Sequence, residues 1–380
     1  MLLWNLQLRD KNINLNSQSK KSLTYWELVR KKFLRKPYAV IGTFIVTSII
    51  ILGIFAPFFS PYSPTRTDRE RQYFPPQTLH FFDQEGNFHP RPFVYGITEE
   101  MDPNTYEFSF TPDPNQKFFI HFFTKGGPWN FLGINLETRL FGVDQANGEY
   151  IYLVGTDNLG RDILSKLLIG TRITLLMAFL VVGAAGLIGI VVGVCSGYFA
   201  GTFDLVTQRF VEFILAFPDL PLYLALLALL PRRADAVLVF IMFAAILVLL
   251  RWAQFSREIR GMVISIRSMD YVRAAEAVGA SRPRILLRHI VPNTTSHIVV
   301  WVTYQLPDVI LLESFLSFLG VGVQPPMVSW GSMLNQILDF QSFNRAPWMM
   351  APVAGIILTV LAFNAMGDGL RDAVDPYSDK

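Results

Sequence analysis

The fold of this chain is decided by residues 271–293, which read YVRAAEAVGASRPRILLRHIVPN and lie between two long apolar segments. Asp270, just before the stretch, is of a type that caps helices, and Gly279 suits the left-handed residue past a helix end. Ser281 is placed to cap a second helix with Pro283 in its first turn, where a missing N–H is harmless. The pattern predicts helix, turn and helix. The first helix is expected to have a thin side, suited to docking, that carries Ala274, Ala275 and Ala277.

The composition indicates a membrane protein. Of 380 residues, 51% are hydrophobic and only 17% are charged, and the mean hydropathy is +0.35. A membrane-spanning helix needs about 20 mostly apolar residues. Six stretches meet that requirement: 38–59, 172–200, 210–230, 237–255, 296–319 and 347–367. We therefore predict an all-α polytopic membrane protein with six transmembrane helices.

Charge predicts the orientation in the membrane. Segment 1–37 has nine Lys or Arg against two acids, and segment 251–290 has eight Arg against three acids. Positive charge gathers on the cytoplasmic side of membrane proteins. An even number of spans also places the basic stretch on the same side as the N-terminus. We expect both termini to be cytoplasmic.

The long segment between the first two spans is expected to be a β-rich domain outside the cell membrane. Hydrophobic alternation in TYEFSF (105–110) and KFFIHFF (117–123) is typical of half-buried strands, and residues 83–87 suit a hairpin turn. The predicted organisation is therefore as follows: a cytoplasmic N-terminal tail with an amphipathic interfacial helix (1–37), a first transmembrane helix (38–60), an extracytoplasmic β-rich insert (61–171), a five-helix core (172–370) with a cytoplasmic loop (256–293), and a cytoplasmic C-terminal tail (371–380).

Small and acidic residues within the apolar helices are further candidates for packing or for a transport pathway. Gly189, Gly193 and Gly197 recur every four residues, which gives a smooth helix face for close packing. Ionisable groups in a bilayer usually face a bundle interior or a water-filled cavity. Four acids qualify for one of these two roles: Glu212, Asp219, Asp308 and Glu313.

Four strings carry a family resemblance. Arg273-Ala274-Ala275, then Gly279 after three residues, and later Ile290-Val291-Pro292, resemble the EAA loop of bacterial ABC importer permeases, although Arg273 stands where the family has a glutamate. Three more strings resemble the dipeptide, oligopeptide and nickel branch of that family: GTDNLGRDILSKLLIGTR (155–172), LLESFLSFLGVGVQPPMVSWGSML (311–334) and GDGLRDAVDP (367–376). The matched strings cover roughly residues 25–60 and 151–376.

The resemblance implies a type I ABC importer permease fold in a bacterial cytoplasmic membrane and a set of partners. It implies a second homologous permease subunit, two ABC ATPase subunits, an extracytoplasmic solute-binding protein and the lipid bilayer, with no nucleic acid. It also implies that a short coupling helix docks on an ATPase; the matching positions are Arg273, Ala274, Ala275, Glu276, Gly279, Ala280 and Ser281. Magnesium-bound ATP is expected to be used by the partner ATPase subunits, and no cofactor is expected on this chain.

The sequence leaves several functions open. Within the family, the expected cargo is a dipeptide or oligopeptide, and nickel, opines or oligosaccharides are alternatives. A phosphate-binding loop of the form G-x-x-x-x-G-K-[ST] is absent from the sequence, so a non-catalytic membrane subunit is expected. Two functions of other classes are an intramembrane enzyme, for which no Ser/His motif accompanies the acids, and a membrane scaffold that displays the outer domain.

Overall fold

The computed structural model describes residues 24–101, 108–131, 133–144, 147–231, 234–338 and 344–375. The predicted tail before residue 24, the end of the C-terminal tail after 375, and residues 105–107 of the TYEFSF string lie outside this part of the chain.

The described residues are mainly helical, with two small sheets near one end of the helices. The helices are α1 (Tyr25–Leu34), α2 (Pro37–Ile54), α3 (Ala56–Phe59), α4 (Ile163–Phe199), α5 (Gly201–Leu215), α6 (Asp219–Ala228), α7 (Ala236–Arg267), α8 (Asp270–Ala277), α9 (Arg282–Ile285), α10 (Val291–Phe318), α11 (Trp330–Asn335) and α12 (Ala351–Val374). A π-helical segment (Leu286–Ile290) joins α9 to α10, and a 3-10 turn (Pro347–Met350) precedes α12.

Among the described residues, five helical rods are long and apolar enough to cross a membrane. They are α2, α4, α7, the continuous rod Arg282–Phe318 and the rod Pro347–Val374. The third predicted span, 210–230, is not one helix, because α5 and α6 meet at an angle of 81°. Pro218 explains the break: proline disfavours helical backbone in the residue before it, and it has no N–H for the helix ladder.

The centre of the bundle is the contact between α4 and α7. Gly189, Gly193 and Gly197 of α4 all face α7; a Cβ on Gly193 would lie 2.5 Å from the Ser256 carbonyl oxygen, and one on Gly197 would lie 2.9 Å from the Arg260 carbonyl oxygen. These distances are too short for any side chain. The three glycines therefore bring the two helix backbones together, as the packing interpretation of their spacing predicts.

The insert contains two antiparallel sheets. Strands β1 (His80–Phe82), β2 (Phe88–Met101) and β3 (Phe108–Phe119) form one sheet in that order, and β4 (His121–Phe131) pairs with β5 (Ile134–Gly142) in the other. The predicted turn at 83–87 joins β1 to β2, with Gly86 at φ +83°.

The strand structure predicted for KFFIHFF is present, but it is divided between two strands. β3 ends at Phe119, β4 begins at His121, and the two strands belong to different sheets. Ile120 between them is buried in the core of the insert, so the apolar pattern continues although the strand does not.

The end of the insert is joined firmly to the start of α4. Asp162 is the N-cap of α4, and its Oδ2 accepts a hydrogen bond from the Ser165 amide at 2.8 Å. The buried Lys166 donates to Asp157 Oδ2 at 2.7 Å and to Gln336 Oε1, beyond α11, at 3.0 Å. α4 therefore begins at Ile163, inside the segment that was predicted to belong to the insert.

Candidate functional site

The predicted docking stretch is a short helix, α8, at the end of the bundle opposite the insert. Its N-cap is Met269, with extended backbone, so the prediction of an Asp270 cap was wrong by one position; Asp270 lies in the first turn. The end of α8 is as predicted. Gly279 has φ +78°, and the amides of Gly279 and Ala280 donate to the carbonyls of Glu276 and Ala275, each at 3.0 Å. This is a Schellman motif, which requires a left-handed residue at Gly279.

The outer face of α8 carries several small and apolar side chains, with the charged Asp270 and Arg273 exposed beside them. Val272 is buried and Ala275 is half-buried against the core of the bundle, whereas Ala274 and Ala277 are exposed and Val278 is 84% exposed. Ala275 therefore does not share the exposed face with the other two alanines, which corrects the predicted thin side. The helical period explains this, because residues 272 and 275 lie one turn apart on the inner face.

Glu276 ties α8 to the end of α4. Its Oε1 accepts a hydrogen bond from the Tyr198 hydroxyl at 3.0 Å, and the Arg267 guanidinium lies 5.6 Å from the centre of the Tyr198 ring. Arg273, by contrast, is exposed. Tyr198 was not among the residues selected from sequence, because a tyrosine at the end of an apolar helix is typical of a membrane interface.

The second helix of the stretch is the beginning of a transmembrane rod. Ser281 occupies the N-cap of α9, as predicted, but its side chain makes no capping hydrogen bond there. α9 passes through the π-helical segment into α10, so the predicted separate helix is only four residues long. Pro292, which has no N–H to donate, follows the π-helical segment and accounts for the local change in hydrogen bonding.

A polar cluster lies among α6, α7 and α10, within the membrane-spanning part of the bundle. Arg251, near the middle of α7, forms an ion pair with Asp308 of α10, and its Nη1 donates to Gln305 Oε1 at 2.6 Å. Asp219, Tyr223 and Gln254 line the same cavity of about 130 Å³. The Asp308 side chain remains 59% exposed on the surface of the chain. We refer to Asp219, Tyr223, Arg251, Gln254, Gln305 and Asp308 as the intramembrane cluster.

The other two acids do not belong to this cluster. Glu212 is exposed and pairs with Arg209 one turn away, at 2.9 Å. Glu313 is fully buried; it accepts hydrogen bonds from Ser317 Oγ at 2.7 Å and from Thr174 Oγ1 of α4 at 3.3 Å. Of the two places considered from the sequence, a bundle interior and a water-filled cavity, Glu313 therefore lies in the bundle interior.

The predicted span 237–255 contains Arg251, although the charge count also included this residue in the basic segment 251–290. The structure places it inside α7, which continues to Arg267. The apolar run that predicted this span ends near residue 255, because polar residues of the last turns interrupt it. The sequence signal for this ion pair was that Arg251 and Asp308 both lie within predicted spans, where charged side chains usually find a partner.

Comparison with known protein families decides the identity of the bundle. A family model for the binding-protein-dependent transport system inner membrane component matches residues 187–379, which include the intramembrane cluster and α8. The chain belongs to this family. A second model, for the N-terminal TM domain of oligopeptide transport permease C, matches residues 24–76.

Curated relatives match over most of the permease chain. This chain is 36% identical over 260 residues to the oligopeptide transport system permease protein OppC of Haemophilus influenzae. The matched region covers 68% of this chain and 81% of the relative. OppC of Bacillus subtilis is 29% identical over 94% of this chain and 92% of its own length. The dipeptide transport system permease protein DppC of Bacillus subtilis is 27% identical over 98% of this chain and 92% of its own length.

Proposed function

We propose that this permease forms half of the translocation pathway of an ATP-driven importer for dipeptides or oligopeptides. A second, homologous permease supplies the other half, two ABC ATPase subunits supply the energy, and an extracytoplasmic binding protein delivers the peptide. The exposed apolar face of α8 carries this proposal, because a hydrophobic surface at the end of a membrane bundle favours contact with another protein.

The shape of α8 supports its role as the docking element. The Schellman end holds Gly279 at the tip, where a Cβ would meet open space, so a partner has access to the backbone there. Ala274, Ala277 and Val278 present small side chains around the tip. Arg273 adds positive charge at the edge, and Ala280 and Ser281 connect the tip to the transmembrane rod.

Two ends of one helix support the proposed orientation. The insert joins the start of α4 through Asp157 and Lys166, and α8 joins its end through Tyr198 and Glu276. Since α4 crosses the membrane once, the insert and α8 lie on opposite sides. The basic residues around α8 support a cytoplasmic position for α8 and for both termini, with the insert on the side of the binding protein.

The intramembrane cluster supports a solute pathway on the α6–α7–α10 face. Ionisable side chains are costly against lipid, yet Asp308 and Asp219 are exposed on this chain. The second permease would cover this face and leave a polar passage between the two subunits. Peptides carry both charges at their termini, and the cluster offers both an arginine and carboxylates.

The test is transport by a reconstituted complex. The chain is co-expressed with the neighbouring permease, ATPase and binding-protein genes, purified, and placed in liposomes with ATP inside. We expect uptake of labelled dipeptides or oligopeptides that requires ATP and the binding protein. Purification of an active transporter that contains this chain alone contradicts the proposal. Uptake of nickel or an oligosaccharide, with no uptake of peptides, contradicts the cargo.

A further inference from the structure

A basic cavity lies in the insert, away from α8 and from the intramembrane cluster. Its volume is about 770 Å³, and it lies between the start of the insert at residues 61–66 and the β4–β5 sheet. The titratable side chains on its wall are Arg66, His121, Lys125, Arg139 and Asp144. Three permanent cations against one carboxylate give the cavity a positive charge.

Arg139 is a buried cation without a carboxylate partner among the described residues. Its side chain is nine-tenths covered, with the residue 6% exposed. Nη1 donates to the Ser60 carbonyl oxygen at 2.6 Å and Nη2 to the Gly127 carbonyl oxygen at 3.5 Å. Burial lowers the pKa of this guanidinium, which reflects the unfavourable removal of its charge from water. A bound anion would compensate that charge.

The backbone around Arg139 is shaped to admit its guanidinium. β4 bulges between Lys125 and Trp129, where its pairing with β5 shifts. A Cβ on Gly126, in this bulge, would lie 2.1 Å from Arg139 Nε. Only a glycine leaves room for the guanidinium at this point, so the bulge and Gly126 together hold a cation in the cavity wall.

The cavity adjoins the surface of the first transmembrane helix. Phe122 and Phe123 form its exposed apolar wall, and the Phe123 ring lies 6.4 Å from that of Phe58 in α3. The β4 residue Phe131 stacks on Phe55 at the end of α2, at 5.2 Å. α2 itself exposes apolar side chains along its length: Ile41, Phe44, Ile51 and Ile54.

We propose that this cavity binds the phosphate headgroup of an anionic phospholipid, with Arg139 and Lys125 on the phosphate and the acyl chains along α2. Arginine and lysine are the side chains that bind phosphate most strongly. The peptide is a less suitable ligand, because α2 packs on α4 and α12, whereas the intramembrane cluster is built by α6, α7 and α10.

The test measures thermal stabilisation of the delipidated full-length chain, with the subunits that it retains, on titration with lipid. We expect phosphatidylglycerol to raise the melting temperature at concentrations at least tenfold below those needed for phosphatidylcholine. Lys125→Gln, at an exposed position, should weaken this response several-fold, and Arg139→Gln should abolish it. Arg91→Gln, which removes an exposed arginine of the same insert outside the cavity, should respond as the wild type.

Two soluble phosphate compounds, inorganic phosphate and glycerol 3-phosphate, are tested at the same concentrations as the lipids. A response to either that equals the response to phosphatidylglycerol overturns the lipid assignment. Equal responses to the two lipids, or a wild-type response in Lys125→Gln, overturn the site itself. The Lys125 variant decides the question if Arg139→Gln does not fold.

Discussion

The Tyr198 hydroxyl, in the last turn of α4, donates a hydrogen bond to the Glu276 carboxylate of α8 at 3.0 Å. Tyr198 is buried and Glu276 is exposed, so the contact joins the membrane bundle to the element that we propose docks on an ATPase. A movement of α8 is therefore transmitted to α4 through a side-chain contact as well as through the backbone of α7.

Tyr198→Phe should reduce coupling without releasing the ATPase. The change removes one hydrogen bond to a charged group, worth about 1 kcal/mol at this partly exposed position. We expect the ATPase to co-purify normally, and peptide uptake per ATP hydrolysed to fall by up to about fivefold. Tyr271→Phe, which removes an exposed hydroxyl of α8, is the control. Equal uptake per ATP in wild type and Tyr198→Phe would show that the contact does not transmit motion.

Gly279→Trp should prevent ATPase docking. A bulky residue at φ +78° costs about 1–2 kcal/mol in backbone strain, and its side chain fills the open space at the tip of α8. We expect an inserted, full-length permease that retains little ATPase on affinity purification and transports no peptide. Gly279→Asn tolerates the left-handed backbone and should retain partial function, and Arg273→Ala should have a milder effect still. Normal docking of Gly279→Trp would mean that α8 is not the coupling helix.

Gly193→Ala should destabilise the bundle. The new methyl group would lie 2.5 Å from the Ser256 carbonyl oxygen, so α4 and α7 must move apart. Overpacking of this kind costs about 1–3 kcal/mol. The melting temperature in detergent measures the effect. Gly183→Ala in the same helix is the matched control, because a Cβ there meets no atom within 4 Å. Equal melting temperatures for Gly193→Ala and Gly183→Ala would contradict the prediction.

Asp308→Asn should impair transport and leave the complex assembled. The change removes the ion-pair partner of Arg251 and leaves that cation unpaired in the membrane-spanning region. We expect at least a tenfold loss of uptake, with partial recovery in the exchanged pair Arg251→Asp, Asp308→Arg. Glu212→Gln disrupts an exposed pair outside the cluster and should have little effect. A similar loss in both single variants would point to a general effect of charge.

Asp162 should make stability depend on pH. Burial raises the pKa of this carboxyl to about 6, and its Oδ1 is buried without a hydrogen-bond partner. The folded state therefore retains a proton that the unfolded state releases near its lower, ordinary pKa. The free energy of unfolding should fall as pH rises from about 4 to about 6, and then level off. Asp162→Asn keeps the helix cap and should flatten the pH dependence in that window.

The sequence was most informative where local chemistry alone sets the structure. Gly279 at the end of α8 and the turn at 83–87 were both predicted from residue types, because caps and turns depend on a few adjacent positions. The glycine spacing in α4 predicted close packing for the same reason, although the partner helix, α7, was not identified from it.

The prediction of one span over 210–230 followed the continuous apolar run and gave too little weight to Pro218, which lies between α5 and α6. Other features depend on residues that are distant in sequence. The ion pair between Arg251 and Asp308 was not predicted, because its two residues lie in different helices. Ala275 was grouped with Ala274 by composition, yet only the packing of α8 on the bundle decides which alanine is exposed.

The length of α4 has a mechanical consequence. Its 37 residues make an unbroken rod of about 55 Å, fixed at one end to the insert by Lys166 and at the other to α8 by Tyr198. A rod held at both ends does not absorb a push by shortening. In the orientation that we propose, a binding protein that tilts the insert would also tilt the far end of the rod, so that its arrival would be registered at the cytoplasmic surface before any peptide has crossed.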